Sequence, residues 1–224
     1  MGGVGRRRSG DGSFMKLWKE YDGFLHKGEW HVHTSYADGS DSVREYCRRA
    51  EELAIPLIAF TEHVRRELSY DFTSFISDIE DARQNFSLTI LSGCEAKVLP
   101  GGDLDVEREI IREVDYPIFA FHSFPKDQMI FLQSLKRVLK NKYINAWAHP
   151  GYFLAKNNLE LADADLSDIL KIMNEHDVLL EVNSRYLLPP KRWIDLAGRH
   201  EVKTVNGSDV HSIDELKAPH SSRL

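Results

Sequence analysis

The sequence contains few cysteines and no long apolar segment. Only Cys47 and Cys94 occur among its 224 residues, and they form no CxxC pair. This usage argues against a disulfide framework, so we predict free thiols in a reducing cytoplasm. No apolar run approaches the roughly 20 residues that a membrane-spanning helix needs. The sequence therefore predicts neither a secreted disulfide-rich protein nor an integral membrane protein.

Positive charge is also in short supply. The chain has 29 lysines and arginines against 35 aspartates and glutamates, a formal net charge of -6. This acidic balance argues against a dedicated nucleic-acid-binding protein. The leader, residues 1–13, is rich in glycine and serine and lacks the apolar segment of a secretory signal. We expect it to be disordered or an expression remnant, and residues 14–224 to form one domain.

Short apolar runs alternate with helical patterns along the remaining sequence. The runs, each a predicted strand, lie at residues 29–33, 57–60, 88–91, 118–121, 144–148, 178–182 and 204–207. Between them apolar residues recur at helical spacing, and Ser42 with Glu45 forms a capping box before the first helix. This alternation predicts an α/β fold whose parallel strands close into a seven-stranded barrel. Few residues follow His211, so either the barrel is incomplete at its seam or the chain is short.

Residues that can bind a metal end or follow the predicted strands. His31 and His33 lie two residues apart in the first strand, so both side chains point to one face. The other polar residues at these positions are Asp38, His63, Glu95, His122, His149, Asn183, Asp209 and His211. Parallel α/β barrels gather the carboxyl ends of their strands at one mouth, so the sequence predicts a multinuclear metal site there. The remaining histidines are expected to be solvated: His26, His176, His200 and His220.

As a set in this order, these motifs resemble the PHP (polymerase and histidinol phosphatase) family of metal-dependent phosphoesterases. The matching segments are His31-Val32-His33-Thr34 with Asp38-Gly39, Thr61-Glu62-His63, Gly93-Cys94-Glu95, His122-Ser123, His149-Pro150-Gly151 and Ser208-Asp209-Val210-His211. The resemblance spans residues 28–216. It implies a distorted seven-stranded TIM-like barrel, (β/α)7, with a trinuclear site, in agreement with the count of strands.

The resemblance also implies which residues hold each ion. The first metal takes His31, His33, Glu95 and Asp209. The second takes Glu95 as a bridge, with His122 and His149, and the third takes Asp38, His63 and His211. One departure from the family pattern is Glu62, where members often have aspartate, and this leaves the partner of His63 open.

Imidazole and carboxylate without thiolate favour zinc, manganese or iron, and the resemblance implies two to three such ions. Metal-bound water has its pKa lowered from about 15.7 to about 7, so it can attack phosphorus without a side-chain nucleophile. Three divalent ions, partly neutralised by three carboxylates and a bridging hydroxide, retain charge for a phosphate dianion. The sequence thus predicts a phosphatase acting on a small phosphomonoester, such as histidinol phosphate or a nucleotide.

Several polar residues just after strand ends are candidates for binding this substrate. Arg185 lies two residues past Asn183, where a guanidinium could hold phosphate oxygens as a fork. Asn183, Arg65 and Lys97 are the other predicted substrate contacts.

Three alternatives stay open from the sequence. A 3'-5' exonuclease of the same family would use the same metals, although the acidic balance argues against it. An amidohydrolase barrel also begins with HxH, but it has no histidine-rich second strand and no terminal Asp-x-His. A metal-binding protein without catalysis is the third. The sequence names neither the substrate, the physiological metal nor the oligomeric state.

Overall fold

The computed structural model describes residues 16–218, so the predicted leader at residues 1–13 lies outside the described residues. Seven parallel strands form one sheet in chain order. They are β1 (Glu29–Val32), β2 (Leu57–Val64), β3 (Thr89–Lys97), β4 (Tyr116–Ala120), β5 (Ala146–Trp147), β6 (Leu179–Asn183) and β7 (Thr204–Gly207). The predicted α/β class and the seven-stranded TIM-like barrel are confirmed.

Helices connect the strands and cover the outside of the barrel. They are α1 (Val43–Glu52), α2 (Phe72–Asn85), α3 (Arg108–Glu113), α4 (Gln128–Val138), α5 (Tyr152–Lys156), α6 (Asp163–Glu175) and α7 (Lys191–Arg199). A 3₁₀ helix, Leu17–Phe24, precedes β1. The predicted capping box is confirmed, because the Ser42 side chain accepts from the Glu45 backbone while the Glu45 carboxylate accepts from the Ser42 backbone.

The barrel closes through one residue that follows β7. The backbone N–H of His33 donates to the carbonyl of Val210 at 2.8 Å, and the Val210 N–H donates to the carbonyl of His31 at 3.0 Å. These two bonds join the first and last strands at the carboxyl end of the barrel. The seam is therefore closed where the predicted metal ligands lie.

The two halves of the barrel interior differ in chemistry. The lower half is an apolar cluster that includes Leu57, Leu91, Ile118 and Leu179, and the 3₁₀ helix adds Trp18 to it from below. Burial of this apolar surface stabilises the barrel beneath the site. The upper half carries the polar side chains, so the hydrophobic core forms the floor of the metal-binding mouth.

The second and third strands run further than the sequence predicted. Thr61, Glu62 and His63 lie inside β2, and Glu95 lies inside β3. Polar side chains end an apolar run in the sequence, but here the backbone pairing continues from Leu57↔Thr89 to Val64↔Ala96. Conversely, β5 has only two residues, and the five-residue helix α5 was not predicted.

Within residues 16–218, no helix is long and apolar enough to cross a membrane. Cys47 and Cys94 are both buried and are not joined by a disulfide.

A methyl group at Gly93 should destabilise the barrel. Its Cβ would lie 2.8 Å from the carbonyl oxygen of Tyr116 and 2.9 Å from that of Phe60, both in paired strands that cannot move apart. We expect Gly93→Ala to lower the free energy of unfolding by about 1–3 kcal/mol in a urea titration. Gly198→Ala is the control, because nothing lies within 4 Å of its Cβ and alanine favours helix α7. Equal stability of the two variants would contradict this account of β3 packing.

Candidate metal centre

The first strand places two imidazoles at one point. The Nε2 atoms of His31 and His33 are 3.0 Å apart and both residues are fully buried. Oδ1 of Asp209 lies 3.1 Å from Nε2 of His33 and 3.5 Å from Nε2 of His31. Glu95 contributes a carboxylate at 3.8 Å from the same nitrogen of His31. These four side chains present their ligand atoms to a common centre.

Glu95 lies between this group and three more histidines. Its Oε1 is 2.9 Å from Nε2 of His149. Its Oε2 is 2.8 Å from Nδ1 of His63 and 3.3 Å from Nε2 of His122. The carboxylate of Glu95 is fully buried, so it would hold a metal ion out of contact with bulk solvent.

The loop after β1 brings in Asp38. Its Oδ2 is 3.3 Å from Nε2 of His63, and its Oδ1 is 3.4 Å from Nε2 of His211. Gly39 allows this loop to fold back, since a Cβ there would lie 2.3 Å from the carbonyl oxygen of His33. The structure therefore brings all nine predicted metal ligands together at the barrel mouth.

The geometric groupings differ in detail from those that the family resemblance implied. Ligand atoms within 4.8 Å of one another form three sets: His33, Asp38, His63 and His211; His31, His33 and Glu95; His63, Glu95 and His122. His33 and His63 each belong to two sets because their two ring nitrogens face different neighbours. The sets contain seven of the nine predicted ligands. Asp209 and His149 are in none of them, but Asp209 lies 3.1 Å from His33 and His149 lies 2.9 Å from Glu95, so the nine residues are contiguous.

Two of these ligands sit on strained backbone. His149 has φ of 29° and Asp209 has φ of 50°, both in the left-handed region. Such conformations cost on the order of 1–3 kcal/mol and persist only where surrounding structure enforces them. Here the backbone N–H of His149 donates to Oε1 of Glu181 at 3.0 Å, which holds the turn.

Burial and mutual proximity shift the protonation of the cluster. Burial lowers the pKa of His33 to about 4, assisted by the neighbouring His63 ring. Burial also disfavours the charged form of His63, but the carboxylates of Glu95 and Asp38 outweigh it and raise the pKa to about 10. Burial alone would raise the pKa of Glu95, but the surrounding His122 and His63 hold it well below its usual range. The carboxylates are therefore ionised and ready to bind cations.

The side chains of the cluster do not fully satisfy one another by hydrogen bonding, and divalent cations would satisfy them. Four buried atoms at the centre have no hydrogen-bond partner within residues 16–218: Nδ1 of His33, Nδ1 of His63, Oε2 of Glu95 and Nε2 of His122. Nδ1 of His63 and Oε2 of Glu95 are 2.8 Å apart yet are not aligned for a hydrogen bond. Leaving buried polar atoms unpaired is costly, and a metal ion satisfies them together.

Glu181, a buried carboxylate that the sequence patterns did not indicate, orients the ring of His31. Oε2 of Glu181 lies 2.8 Å from Nδ1 of His31, which turns Nε2 of that ring toward the centre. Hydrogen bonds of this kind fix the tautomer of a metal-binding histidine. Glu181 lies two residues before Asn183 in β6, so a search of the same strand face would have found it.

Glu62 does not contact the ring of His63. Its Oε1 accepts from the backbone N–H of Thr34 at 2.5 Å, at the start of the loop that carries Asp38. Burial raises the pKa of Glu62 to about 7. The ring of His63 is instead held between Glu95 and Asp38, which are its partners in place of residue 62.

The predicted substrate contacts have different surroundings. Asn183 is buried, and its Nδ2 donates to Oε1 of Glu181 at 2.6 Å while its Oδ1 accepts from Tyr186 N–H at 3.0 Å. Asn183 therefore positions the carboxylate of Glu181 and the backbone of Tyr186. Arg65 donates to its neighbouring carbonyl, that of Val64.

Arg185 and Lys97 lie at the mouth itself. Nη1 of Arg185 donates to the Asp209 carbonyl at 2.7 Å and lies 3.1 Å from Nδ1 of His211. The same atom lies 3.2 Å from Oε2 of Glu215. Lys97 ends β3 two residues beyond Glu95, on the same face of the strand.

Within residues 16–218, the histidines outside the cluster are not gathered at any second centre. His26 is exposed, and His176 and His200 are half-buried on or near helix ends. His220 lies outside the described residues.

A family model described as the PHP domain matches residues 29–185 of the chain. The DNA polymerase/3'-5' exonuclease PolX of Bacillus subtilis is 26% identical over 205 residues, covering 85% of this chain. The chain spans only 35% of the length of that polymerase. A protein of Aliivibrio fischeri named as a probable phosphatase is 25% identical over 201 residues, covering 83% of this chain and 78% of that protein.

The fold resembles that of a solved phosphatase. The structure of histidinol phosphate phosphatase from Lactococcus lactis, determined with zinc, L-histidinol and phosphate, superposes with a TM-score of 0.66. The alignment covers 84% of this chain and 88% of that one at 20% sequence identity. At this identity the likeness concerns the arrangement of strands and helices.

Removing the charge of Glu181 should weaken metal binding although Glu181 is not a predicted ligand. Glu181→Gln keeps the shape but loses the ionic partner of His31 Nδ1, so we expect affinity for the metals to fall about 10- to 100-fold. Competition with a chromophoric chelator measures this affinity. Glu95→Gln should lose metal more completely, and His176→Asn, outside the cluster, should bind as the wild type does. Wild-type affinity in Glu181→Gln would show that the contact with His31 does not support the site.

Proposed function

Because the chain belongs to the PHP domain family, a family of metal-dependent phosphoesterases, we propose that it hydrolyses small phosphomonoesters. The observation that carries this proposal is the cluster of nine imidazole and carboxylate side chains that includes the buried Glu95. We propose two to three divalent ions, zinc, manganese or iron, as its cofactors, and the cytoplasm as its location.

The nine ligands hold the ions, and the chain positions them. One centre is faced by His31, His33, Asp209 and Glu95. The ring of His63 lies between Glu95 and Asp38, so it connects this centre to the remaining ligands. Divalent ions at such a cluster supply Lewis acidity, which makes water acidic and neutralises charge that develops on phosphoryl oxygens. Glu181 keeps Nδ1 of His31 hydrogen-bonded, so that Nε2 remains directed at the centre.

Arg185 is placed to recognise the phosphoryl group beside the metals. Within residues 16–218 its contacts with Asp209, His211 and Glu215 all use Nη1. The other edge of the guanidinium can therefore donate to phosphate oxygens, for which its planar fork is suited. Its side chain is 38% exposed, so a substrate can reach it from solvent.

The acidic balance of the chain favours a small ester over a polymer. A long polyanion binds through many cationic contacts, whereas this chain has six more acidic than basic residues. The match to the exonuclease PolX supports the alternative, a 3'-5' exonuclease. A direct comparison of substrates separates the two.

Metal-loaded protein should release inorganic phosphate from small phosphomonoesters, with histidinol phosphate and nucleoside monophosphates as the first substrates to assay. Chelation should abolish release, and Glu95→Gln should be inactive for the same reason. Single-stranded DNA should remain intact under these conditions. Processive degradation of DNA without phosphate release from any small ester would favour the exonuclease, and absence of both activities in metal-loaded protein would favour a non-catalytic metal-binding role.

Arg185→Ala should weaken substrate recognition specifically. If the guanidinium makes one charge-assisted contact worth about 1.5–3 kcal/mol, kcat/KM should fall about 10- to 100-fold. Elemental analysis should show the metal content of the wild type. Arg192→Ala is the matched control, since Arg192 forms a surface ion pair with Asp163 at 2.8 Å. A variant that loses metal along with activity would show that Arg185 supports His211 and does not bind phosphate.

A further inference from the structure

Two tyrosines flank the metal cluster on one side of the mouth. Tyr152 begins α5, just after His149, and Tyr186 follows β6. Each ring stands edge-on to the His149 ring, with centroids 5.5 Å and 5.7 Å away, and the two tyrosine rings are 4.5 Å apart. Both are half-buried, so each shows part of its surface to solvent.

This aromatic pair is directly beside the reacting centre. The ring of Tyr186 stands edge-on to that of His149, a predicted metal ligand. Lys156 lies over the Tyr152 ring, 5.7 Å from its centroid, and extends the surface outward from the cluster. The pair is therefore a wall of the mouth, continuous from His149 to the rim.

The opposite side of the mouth has different chemistry. Cationic residues follow β2 and β4, namely Arg65, Arg66 and Lys126, and Lys97 is the last residue of β3. The aromatic residues Tyr152 and Tyr186 come instead from the loops after β5 and β6. A substrate whose phosphoryl group faces the metals thus has two tyrosine rings beside His149 against which to place its leaving group.

We propose that Tyr152 and Tyr186 form a leaving-group subsite that selects phosphomonoesters carrying a planar, π-bonded ring. The inference rests on the proposed phosphomonoesterase function and names its substrate class. Tyrosine suits this role because its flat, rigid ring stacks on another π-system and loses little conformational freedom on binding. A saturated leaving group of the same size gains apolar contact but no stacking geometry.

The test compares two phosphonates that differ only in the ring. Benzylphosphonate carries a planar aromatic ring, and cyclohexylmethylphosphonate carries a saturated ring. Neither compound is hydrolysed, so binding is measured without turnover. Calorimetry on metal-loaded wild type should show about 3- to 10-fold tighter binding of the benzyl compound, the range expected for one aromatic pair. Tyr186→Leu and Tyr152→Leu should each reduce this preference, and the double variant should remove it, while affinity for the saturated compound stays within about twofold.

Controls separate stacking from support of the metal site. Tyr186→Phe and Tyr152→Phe retain the rings and should retain the preference. Tyr143→Leu, in the loop before β5 at the other end of the barrel, should not change it. Metal content, measured by elemental analysis, should be equal in all variants.

Equal wild-type affinity for the two phosphonates, or no binding of either, would overturn the inference. An equal loss for both compounds, or loss of metal in the leucine variants, would also overturn it, because the rings would then only pack His149. A preserved ring preference in protein that hydrolyses no phosphomonoester would instead refute the proposed function and leave the ring-binding subsite standing.

Discussion

The carboxylate of Glu95 is the group on which the site depends. It is fully buried, with His63, His122 and His149 each within 3.3 Å of one of its oxygens. A buried charge is stable only when opposite charge or aligned donors surround it. Strand β3 holds this carboxylate in place because it pairs with β2 on one side and β4 on the other. The positions of the histidines follow from this arrangement, since they must converge on an oxygen that cannot move.

A second buried acid connects opposite parts of the barrel. Glu181, in β6, contacts the ring of His31 and the backbone of His149, so one carboxylate orients ligands from two other strand ends. Gly207 leaves room for it, because a Cβ there would lie 2.7 Å from the Glu181 carboxyl carbon. The apolar cluster beneath supplies the stability that permits so many polar groups in the upper half. The lower half of the interior thus contributes stability, and the upper half carries the metal-binding side chains.

The sequence predicted the positions of side chains correctly where residues that can bind a metal recur at the two-residue period of a strand. The two-residue spacing of His31 and His33 places both rings inside the barrel, as a strand requires. The predicted ends of β2 and β3 were wrong, because polar residues such as Glu62 and Glu95 interrupt an apolar pattern but remain buried within the pairing. Glu181 was not indicated because it lies before the end of its strand, although it shares a face of β6 with Asn183. Asn183 was predicted as a substrate contact, and its amide is engaged with Glu181.

The order of residue types along the chain was enough to determine the class of fold, the number of strands and the nine side chains at the mouth. Each of these depends on local periodicity and on the rule that parallel strands present their carboxyl ends together. Which atoms meet was decided by the closed barrel. The contact of His31 with Glu181 joins residues 150 apart in sequence. The pairing of Tyr152 with Tyr186 likewise requires two loops to approach each other. Such contacts depend on strand register and barrel closure, which are properties of the whole assembly and not of any segment.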